Sequence, residues 1–301
     1  MKLDAFCTIT MLWKMAIRAF LLLTTALVFS PDEVKGLTTI SETNHFAYGA
    51  NIGWLEWRGD VENGAEIGEY VCSGYIWGAN IGWIVLGIGT PANGIRYQNN
   101  SATDWGVNHD GTGKLRGYAY GANIGWIAFE EIGDPRVDLV TGKLSGYVWS
   151  ANCGWISLSN AQAVVQTMCL RPGEDKDHDG MPDAWELEYT NSIAVFGVDT
   201  DTEGDGTKDL EEYLAGTNPI DADDVFRIVN IERIGSLIML RWNSKSNRCY
   251  KLECKSTLLG GTEWSELSLG FENNLGWSTA AIPYGDWMGF FRVRAIRPLM
   301  P

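Results

Sequence analysis

The chain has 301 residues, of which 38 are acidic and 23 are basic, so its formal net charge at pH 7 is −15. This length allows two or three domains, and a hydrophobic content of 45% is ordinary for globular protein. The excess of acidic residues argues against nucleic acid as a partner, because proteins that bind nucleic acid need a basic patch to neutralise phosphates. Fourteen tryptophans and 35 glycines indicate many short strands joined by tight turns.

The first 36 residues have the pattern of an export signal, in which basic residues precede an apolar run at 19–29. A start at Met15 gives a more usual signal length. We expect cleavage after Gly36, with cleavage after Ala26 and an uncleaved anchor as alternatives. The run is shorter than the ~20 residues of a membrane span, so we expect no membrane span after signal removal. An exported protein meets an oxidising, calcium-rich compartment.

Five cysteines follow the predicted signal, and an odd number cannot all pair within one chain. Two of them are five residues apart on a predicted strand and so face opposite sides. We therefore expect free thiols at Cys72, Cys153, Cys169, Cys249 and Cys254.

One phrase occurs four times in the predicted domain at 37–160. Each copy joins an aromatic-x-aromatic strand, a turn of the type G-A-N-x-G and a strand that begins with Trp-aliphatic, which predicts a β-hairpin. The later copies carry a Thr-Gly lead-in that adds a third strand. Four units predict about twelve strands, which fits a barrel, a propeller or a sandwich. The repeated asparagine is expected to cap its own turn; these residues are Asn51, Asn80, Asn123 and Asn152.

The phrase resembles GYAWSxNxGWI repeats of large secreted or surface proteins of bacteria. The resemblance covers about 115 residues. It implies an exported modular protein and does not identify a ligand.

Alternation within each strand places aromatic side chains on one face and aliphatic side chains on the other. If the aliphatic face closes, the rings lie outside and can stack on sugars; if the aromatic face closes, the rings form the core. Aromatic side chains pack more often than they recognise ligands, so we expect a core role and keep the ligand platform as the alternative. The platform residues are Tyr48, Tyr75, Trp77, Tyr118, Tyr120, Tyr147 and Trp149.

A linker at 161–173 leads to an acidic segment at 174–224, where seventeen acidic and two basic residues carry the whole net charge. The segment contains two matches to the calcium-loop pattern D-x-D-x-D-G-x5-E, each followed by a short helix. A solvated acidic linker is the alternative. The expected calcium ligands are Asp175, Asp177, Asp179, the Met181 carbonyl, Asp183 and Glu186 in the first loop, and Asp201, Glu203, Asp205, the Thr207 carbonyl, Asp209 and Glu212 in the second.

Both loops resemble calcium-binding repeats related to thrombospondin type 3 and dockerin loops, with an EF-hand-like ligand spacing. The resemblance implies Ca2+ as the bound cofactor. Because such repeats join domains in proteins of many functions, it does not identify an activity. The longer side chain of Glu203 replaces the usual Asp, and we expect that site to be distorted or weaker.

The last region, at 225–301, alternates as short strands and predicts a β-sandwich. The predicted strands span 226–234, 236–242, 249–256, 264–269 and 290–296. Trp242, Tyr250 and Trp264 resemble the core pattern of fibronectin type III modules. The expected fold class of the whole chain is mainly β.

No nucleophile, P-loop or zinc motif occurs, so we expect a protein that is not an enzyme. Glu130, Glu131 and Asp134 form a small acidic cluster that we interpret as a solvated turn, with a glycosidase pair as the alternative. The predicted function is a secreted, calcium-binding, non-catalytic surface protein that binds or adheres through its repeat domain, with polysaccharide or another surface protein as partner. The alternatives are a carbohydrate-binding accessory protein, a glycan-active enzyme, and a self-assembling filament or matrix subunit.

Overall fold

The computed structural model describes residues 38–59, 62–256, 263–274, 276–283 and 289–300, and the predicted export signal lies outside these ranges. Most regular structure is β. The first region contains β1 (Ile40–Gly49), β2 (Gly53–Glu56), β3 (Glu66–Ile67), β4 (Cys72–Gly78), β5 (Gly82–Ile88), β6 (Val107–His109), β7 (Leu115–Gly121), β8 (Gly125–Phe129), β9 (Arg136–Val137), β10 (Leu144–Ser145), β11 (Tyr147–Ser150), β12 (Gly154–Ser157) and β13 (Val165–Thr167).

Two helices follow, α1 (Asp183–Tyr189) and α2 (Asp209–Ala215). The last region contains β14 (Ile228–Ile234), β15 (Leu237–Asn243), β16 (Cys249–Lys255), β17 (Ser265–Glu266), β18 (Phe271–Asn274), β19 (Trp277–Pro283) and β20 (Phe290–Ile296).

Eight antiparallel strands of the first region form a closed barrel. Each of the four phrases supplies one hairpin, and neighbouring hairpins pair in the order β1-β2-β4-β5-β7-β8-β11-β12. The barrel closes because β12 pairs with β1 through Tyr48↔Ser157 and Gly49↔Ile156. The short β3 and β6 extend the sheet beside β4 and β7, β9 pairs with β10, and β13, which lies within 161–173, pairs with β1. Of the three architectures that the sequence allows, the structure has the barrel.

The barrel closes on its aliphatic face, so the expectation that the aromatic rings form the core is wrong. The interior of an eight-stranded barrel is just wide enough for side chains of moderate size, and it does not accommodate twelve large rings. The inward side chains are at most 3% exposed, and they are Ala47, Leu55, Ile76, Ile84, Ala119, Ile127, Val148 and Ile156.

The four hairpin turns are linked in a ring by asparagine side chains. Each Asn donates its Nδ2 hydrogen to a carbonyl in the turn of the preceding unit, and not to its own turn as expected. Asn80 reaches Ile52 O at 3.0 Å, and Asn51 reaches Cys153 O at 3.0 Å, which joins the first unit to the last. The remaining bonds are Asn123 Nδ2 to Ile81 O at 3.1 Å and Asn152 Nδ2 to Ile124 O at 3.0 Å.

The residue after each Asn is buried at this end of the barrel. In the second unit a Cβ at Gly78 would lie 2.6 Å from Ile81 Cγ1, so no side chain fits beside that isoleucine. The first and third units have the same Gly and Ile pair. The fourth unit has a fully buried Ser150 in place of the glycine and the smaller Cys153 in place of the isoleucine. The two exchanges compensate each other in volume.

The last region consists of a four-stranded sheet, β14-β15-β19-β18, and a three-stranded sheet, β17-β16-β20. Leu240, Trp242, Leu252 and Ile282 of both sheets share one buried cluster. The strands predicted from the sequence do not include β18 and β19. Strand β19 has the sequence WSTAAIP, whose alanines and proline are poor strand formers. Pairing with β15 along all seven residues stabilises it as a strand.

The three regions meet at Tyr213 of α2. Its hydroxyl donates to Glu69 Oε2 of the first region at 3.2 Å. Arg297 of the last region pairs with the same carboxylate and lies over the Tyr213 ring, with its Cζ 4.3 Å from the ring centroid. Arg248 donates to the Tyr213 carbonyl at 2.6 Å and to the Leu214 carbonyl at 2.8 Å, which satisfies acceptors at the end of α2.

Candidate metal centres and aromatic surface

The first acidic loop is folded around the carboxylate of Asp175. Its Oδ1 accepts from the His178 N–H at 2.8 Å, and its Oδ2 accepts from the Gly180 N–H at 3.0 Å. Gly180 has a φ of +93°, which a residue with a side chain rarely adopts. This turn brings one carboxylate oxygen from each of Asp175, Asp177 and Asp179 within 4.8 Å of one another.

Glu186 of α1 lies near this acidic group but is not among the three residues whose oxygens come within 4.8 Å of one another. It is fully buried, yet neither of its carboxylate oxygens has a hydrogen-bond partner, and Asp179 Oδ2 also has none. Burial and the neighbouring charges of Asp177 and Asp179 raise the pKa of Glu186 to about 8. A buried carboxylate without a donor is costly, and a hard cation that takes six to eight oxygen ligands removes that cost. The acidic group could therefore hold a metal ion.

The second loop repeats this geometry. Asp201 Oδ1 accepts from the Gly204 N–H at 2.8 Å, and Asp201 Oδ2 accepts from the Gly206 N–H at 3.0 Å. Asp201, Glu203 and Asp205 bring carboxylate oxygens within 4.8 Å of one another. The longer Glu203 also reaches inward, where it forms a second group of this kind with Asp209 and Glu212.

The second loop also contains carboxylate oxygens without partners. They are both oxygens of Glu203, Oδ2 of Asp205 and Oε2 of the fully buried Glu212. Burial and the nearby Glu203 raise the pKa of Glu212. The closeness of Glu203 to Asp209 and Glu212 is a feature that the sequence pattern alone does not show.

Asp183 and Asp209, the ninth residues of the loops, hold the loops together. Asp183 Oδ1 accepts from the Lys176 N–H at 2.8 Å, and Asp209 Oδ1 accepts from the Thr202 N–H at 3.0 Å. Both aspartates are buried, and each fastens the second residue of its loop to its helix. Asp183 therefore has a structural role in bracing its loop, whereas Asp209 both braces its loop and belongs to the acidic group of Glu203 and Glu212. Hydrogen bonds also fix the residue after each loop glycine. The Met181 N–H donates to Asp179 Oδ1 at 2.9 Å, and the Thr207 N–H donates to Asp205 Oδ1 at 2.6 Å.

The aromatic rings of the repeats lie on the outside of the barrel. The seven residues of the predicted platform are 37–50% exposed. The structure adds four tryptophans from the second strands of the hairpins, which the sequence reasoning missed: Trp54, Trp83, Trp126 and Trp155. The signal was present, because Tyr48 lies opposite Trp54 and Trp77 opposite Trp83 across their hairpins, and cross-strand partners face the same side.

Edge-to-face and tilted contacts join these rings within each hairpin. Trp83 lies 4.7 Å from Trp77 and 6.2 Å from Tyr75, measured between ring centroids. Trp105, from the long connection between the second and third units, packs on Tyr120 and Trp126 at 6.1 and 5.1 Å. The rings therefore form a fixed surface, which lowers the entropy cost of binding a ligand.

The other candidate residues have structural partners. His109 is fully buried, and its ring nitrogens contact the Gly68 carbonyl and the Gly113 N–H at 3.1 Å each. Burial lowers its pKa. Asp134 pairs with Arg136 at 2.6 Å, while Glu130 and Glu131 beside it are exposed. The described cysteines are free thiols.

None of the helices in the described part of the chain is long and apolar enough to cross a membrane. Comparison of the chain with protein-family models, with curated proteins and with solved structures finds no match.

Proposed function

We propose that this protein is a secreted, calcium-binding, non-catalytic modular protein that binds polysaccharide at the cell surface through the aromatic exterior of its barrel. One observation carries the proposal: the barrel encloses its aliphatic residues and leaves eleven large rings exposed around its outside. Rings that only packed a core would lie inside. Monomeric proteins rarely expose so much apolar surface unless it binds something.

Polysaccharide is the ligand class that this surface fits best. The rings recur in four similar groups around the barrel, so the surface offers a repeated contact and not one broad patch. A polymer of similar units matches such a repeat, and each flat ring can stack on the C–H face of a sugar while the Tyr hydroxyl and Trp N–H groups form hydrogen bonds. Closure of the barrel through β1 and β12 argues against filament growth by strand addition at this domain, because that route needs an open edge.

Calcium has a structural role in this proposal. The unpartnered carboxylate oxygens of Glu186, Glu203 and Glu212 are the support for two calcium centres, as in the thrombospondin type 3 and dockerin loops that the sequence resembles. Because α2 begins in the second loop and contacts both flanking regions through Tyr213, bound calcium would fix the barrel relative to the predicted fibronectin III-like β-sandwich at 225–301. The predicted export signal at 1–36 supports the extracellular location.

The partners of the polar residues support a non-catalytic role. Catalysis by general acid and base needs a positioned, available pair. Asp134 is engaged by Arg136, and the nitrogens of His109 are engaged by backbone groups. The large carboxylate clusters lie in the two acidic loops, where calcium would occupy them.

A binding screen of the full chain against a panel of soluble and insoluble polysaccharides tests the proposal. We expect at least one polysaccharide to bind, and Trp77→Ala and Trp149→Ala each to weaken binding by about tenfold, because a stacked ring contributes about 1 kcal/mol or more. Trp264→Ala is the matched control, since this ring lies in the last region and packs under Arg292. Absence of binding across the panel, or equal loss in the control, would overturn the proposal.

A further inference from the structure

The four hairpins meet at seams, and one outward residue at each seam has an aromatic residue on both sides. This position is the second residue after the Trp of each phrase. Glu56, for example, pairs with Phe46 of its own hairpin and with Trp77 of the next. The equivalent triplets, with the central residue in the middle, are Tyr75–Val85–Tyr120, Tyr118–Ala128–Trp149 and Tyr147–Ser157–Tyr48.

Among the described residues no ring contact closes the first seam, and the Glu56 side chain on its floor is 34% exposed, whereas Ala128 and Ser157 on the floors of the third and fourth seams are buried. In the described part of the barrel, the ring contacts of this surface lie within single hairpins or involve Trp105, and none joins the two aromatic residues that flank a seam. The flanking strands are two strand spacings apart, roughly 9.5 Å. A flat ring in van der Waals contact with both walls needs about 7–8 Å, so the strand spacing leaves room for one sugar ring over the first seam, beside the Gly59 backbone that borders Glu56 and Trp77.

The first seam differs from the others in the chemistry of its floor. Val85 and Ala128 offer no polar group, and the Ser157 hydroxyl already donates to the Ser159 carbonyl at 2.9 Å. Glu56 is half-buried, and His45 Nε2 is 3.8 Å from its Oε1, beyond hydrogen-bond distance. Its carboxylate is thus placed to accept hydrogen bonds from a group that enters the seam, and it repels any group that carries a negative charge.

We propose that the seam between the first and second units binds an uncharged hexopyranose unit, with Phe46 and Trp77 as walls and the Glu56 carboxylate as the acceptor for its hydroxyls. The same carboxylate excludes uronic acid units, so Glu56 determines specificity. This inference rests on the proposed function of the aromatic surface and names the sugar class that it takes.

Titration calorimetry of the full chain with cellohexaose and with hexagalacturonate, which have equal numbers of sugar units, tests the inference. We expect cellohexaose to bind at least tenfold more tightly than hexagalacturonate. Glu56→Ala should weaken cellohexaose binding about tenfold, as expected when a hydrogen bond to a charged group is lost. Glu56→Gln keeps the shape without the charge, and it should strengthen hexagalacturonate binding about fivefold. Val85→Ala, at the equivalent position of the second seam, is the control and should change neither value.

The outcomes separate this inference from the broader proposal. If either oligosaccharide binds and both Glu56 variants bind like the unaltered protein, the role of Glu56 is overturned while the polysaccharide proposal stands. The same conclusion follows if neither oligosaccharide binds but the polysaccharide panel shows binding that depends on Trp77. If the panel shows no binding, both fall. Melting temperatures equal to that of the unaltered protein confirm that each variant is folded.

Discussion

The barrel and the acidic segment at 174–224 are both built from internal repeats, but they are stabilised in different ways. The barrel is stabilised by contacts within its own chain, because its aliphatic side chains fill the interior and its turn asparagines form hydrogen bonds with neighbouring turns. The acidic segment has two seven-residue helices and buried carboxylates without partners. Helices this short are not stable alone. The turns of the first repeat find their partners within the chain, whereas the second leaves carboxylate oxygens unpaired, which we propose that calcium binds.

Removal of calcium should show the largest difference between the two regions. At a calcium concentration 100 times the dissociation constant, each site adds about 2.7 kcal/mol of stability. In chelator we expect amides of 174–224 to exchange hydrogen about a hundredfold faster, while amides of β4 and β5 keep their protection. Hydrogen exchange followed by mass spectrometry measures both. Asp177→Ala and Asp205→Ala should each abolish part of the effect, and identical exchange with and without calcium would rule out the metal assignment.

Cys153→Ile tests the packing at the closed end of the barrel. The added methyl groups meet the buried Ser150 hydroxymethyl, and such overpacking costs about 1–3 kcal/mol. Urea denaturation should show this loss of unfolding free energy. The double variant with Ser150→Gly restores the Gly and Ile pair of the other three units and should recover most of the loss. No recovery would mean that the two positions are not coupled.

Tyr213→Phe tests the contact between the two regions. The variant loses the hydrogen bond to the Glu69 carboxylate, at a cost of about 1.5 kcal/mol. We expect the loss in thermal unfolding with calcium and little effect in chelator, where α2 is no longer held in place. Tyr189→Phe, in α1, is the matched control. An equal effect with and without calcium would show that the contact forms independently of the metal.

Asn80→Ala should have the smallest effect, about 1 kcal/mol for one hydrogen bond. Asn51→Ala should cost the same, because its bond has the same length although it joins the first unit to the last. The exposed Asn100 is the control position. Chemical denaturation of the three alanine variants decides the point, and a cost that appears for only one of the two ring positions would contradict the equivalence of the units.

The two regions also differ in how far the sequence predicts them. The repeat spacing predicts four hairpins, but a period of two assigns residues to faces without saying which face is inside. The general preference of aromatic residues for a core therefore gave the wrong face. Counting Trp54 and its equivalents with the other rings gives twelve, a volume too large for the interior of an eight-stranded barrel, so the aliphatic face is the one that can close. In the acidic loops the motif predicts Asp175, Asp177 and Asp179, whose carboxylate oxygens lie within 4.8 Å of one another, and the corresponding three residues of the second loop. It does not predict that Asp183 braces the loop, because that role depends on where the Lys176 N–H points after the chain has folded.

Other contacts were not predictable from local pattern at all. Glu69, Arg248 and Arg297 carry no motif, and their meeting at Tyr213 depends on three regions that are far apart in the chain. Residues of this kind are identified only after the topology is known. The same holds for Glu56, because its proposed role depends on the two aromatic residues that flank it, Phe46 and Trp77.

The asparagine ring has a consequence for how such a chain can change. A ring of directed bonds, in which each unit donates to the one before it and the first donates to the last, has a fixed number of members. Tandem duplication of one unit would have to open the ring and widen the cylinder. Lengthening of the connections leaves it intact, as the 18 residues between β5 and β6 show. The ring is also the same whichever unit comes first in the chain. A circular permutant with its new termini in the connection before Trp105 should therefore retain all four hydrogen bonds of the asparagine ring.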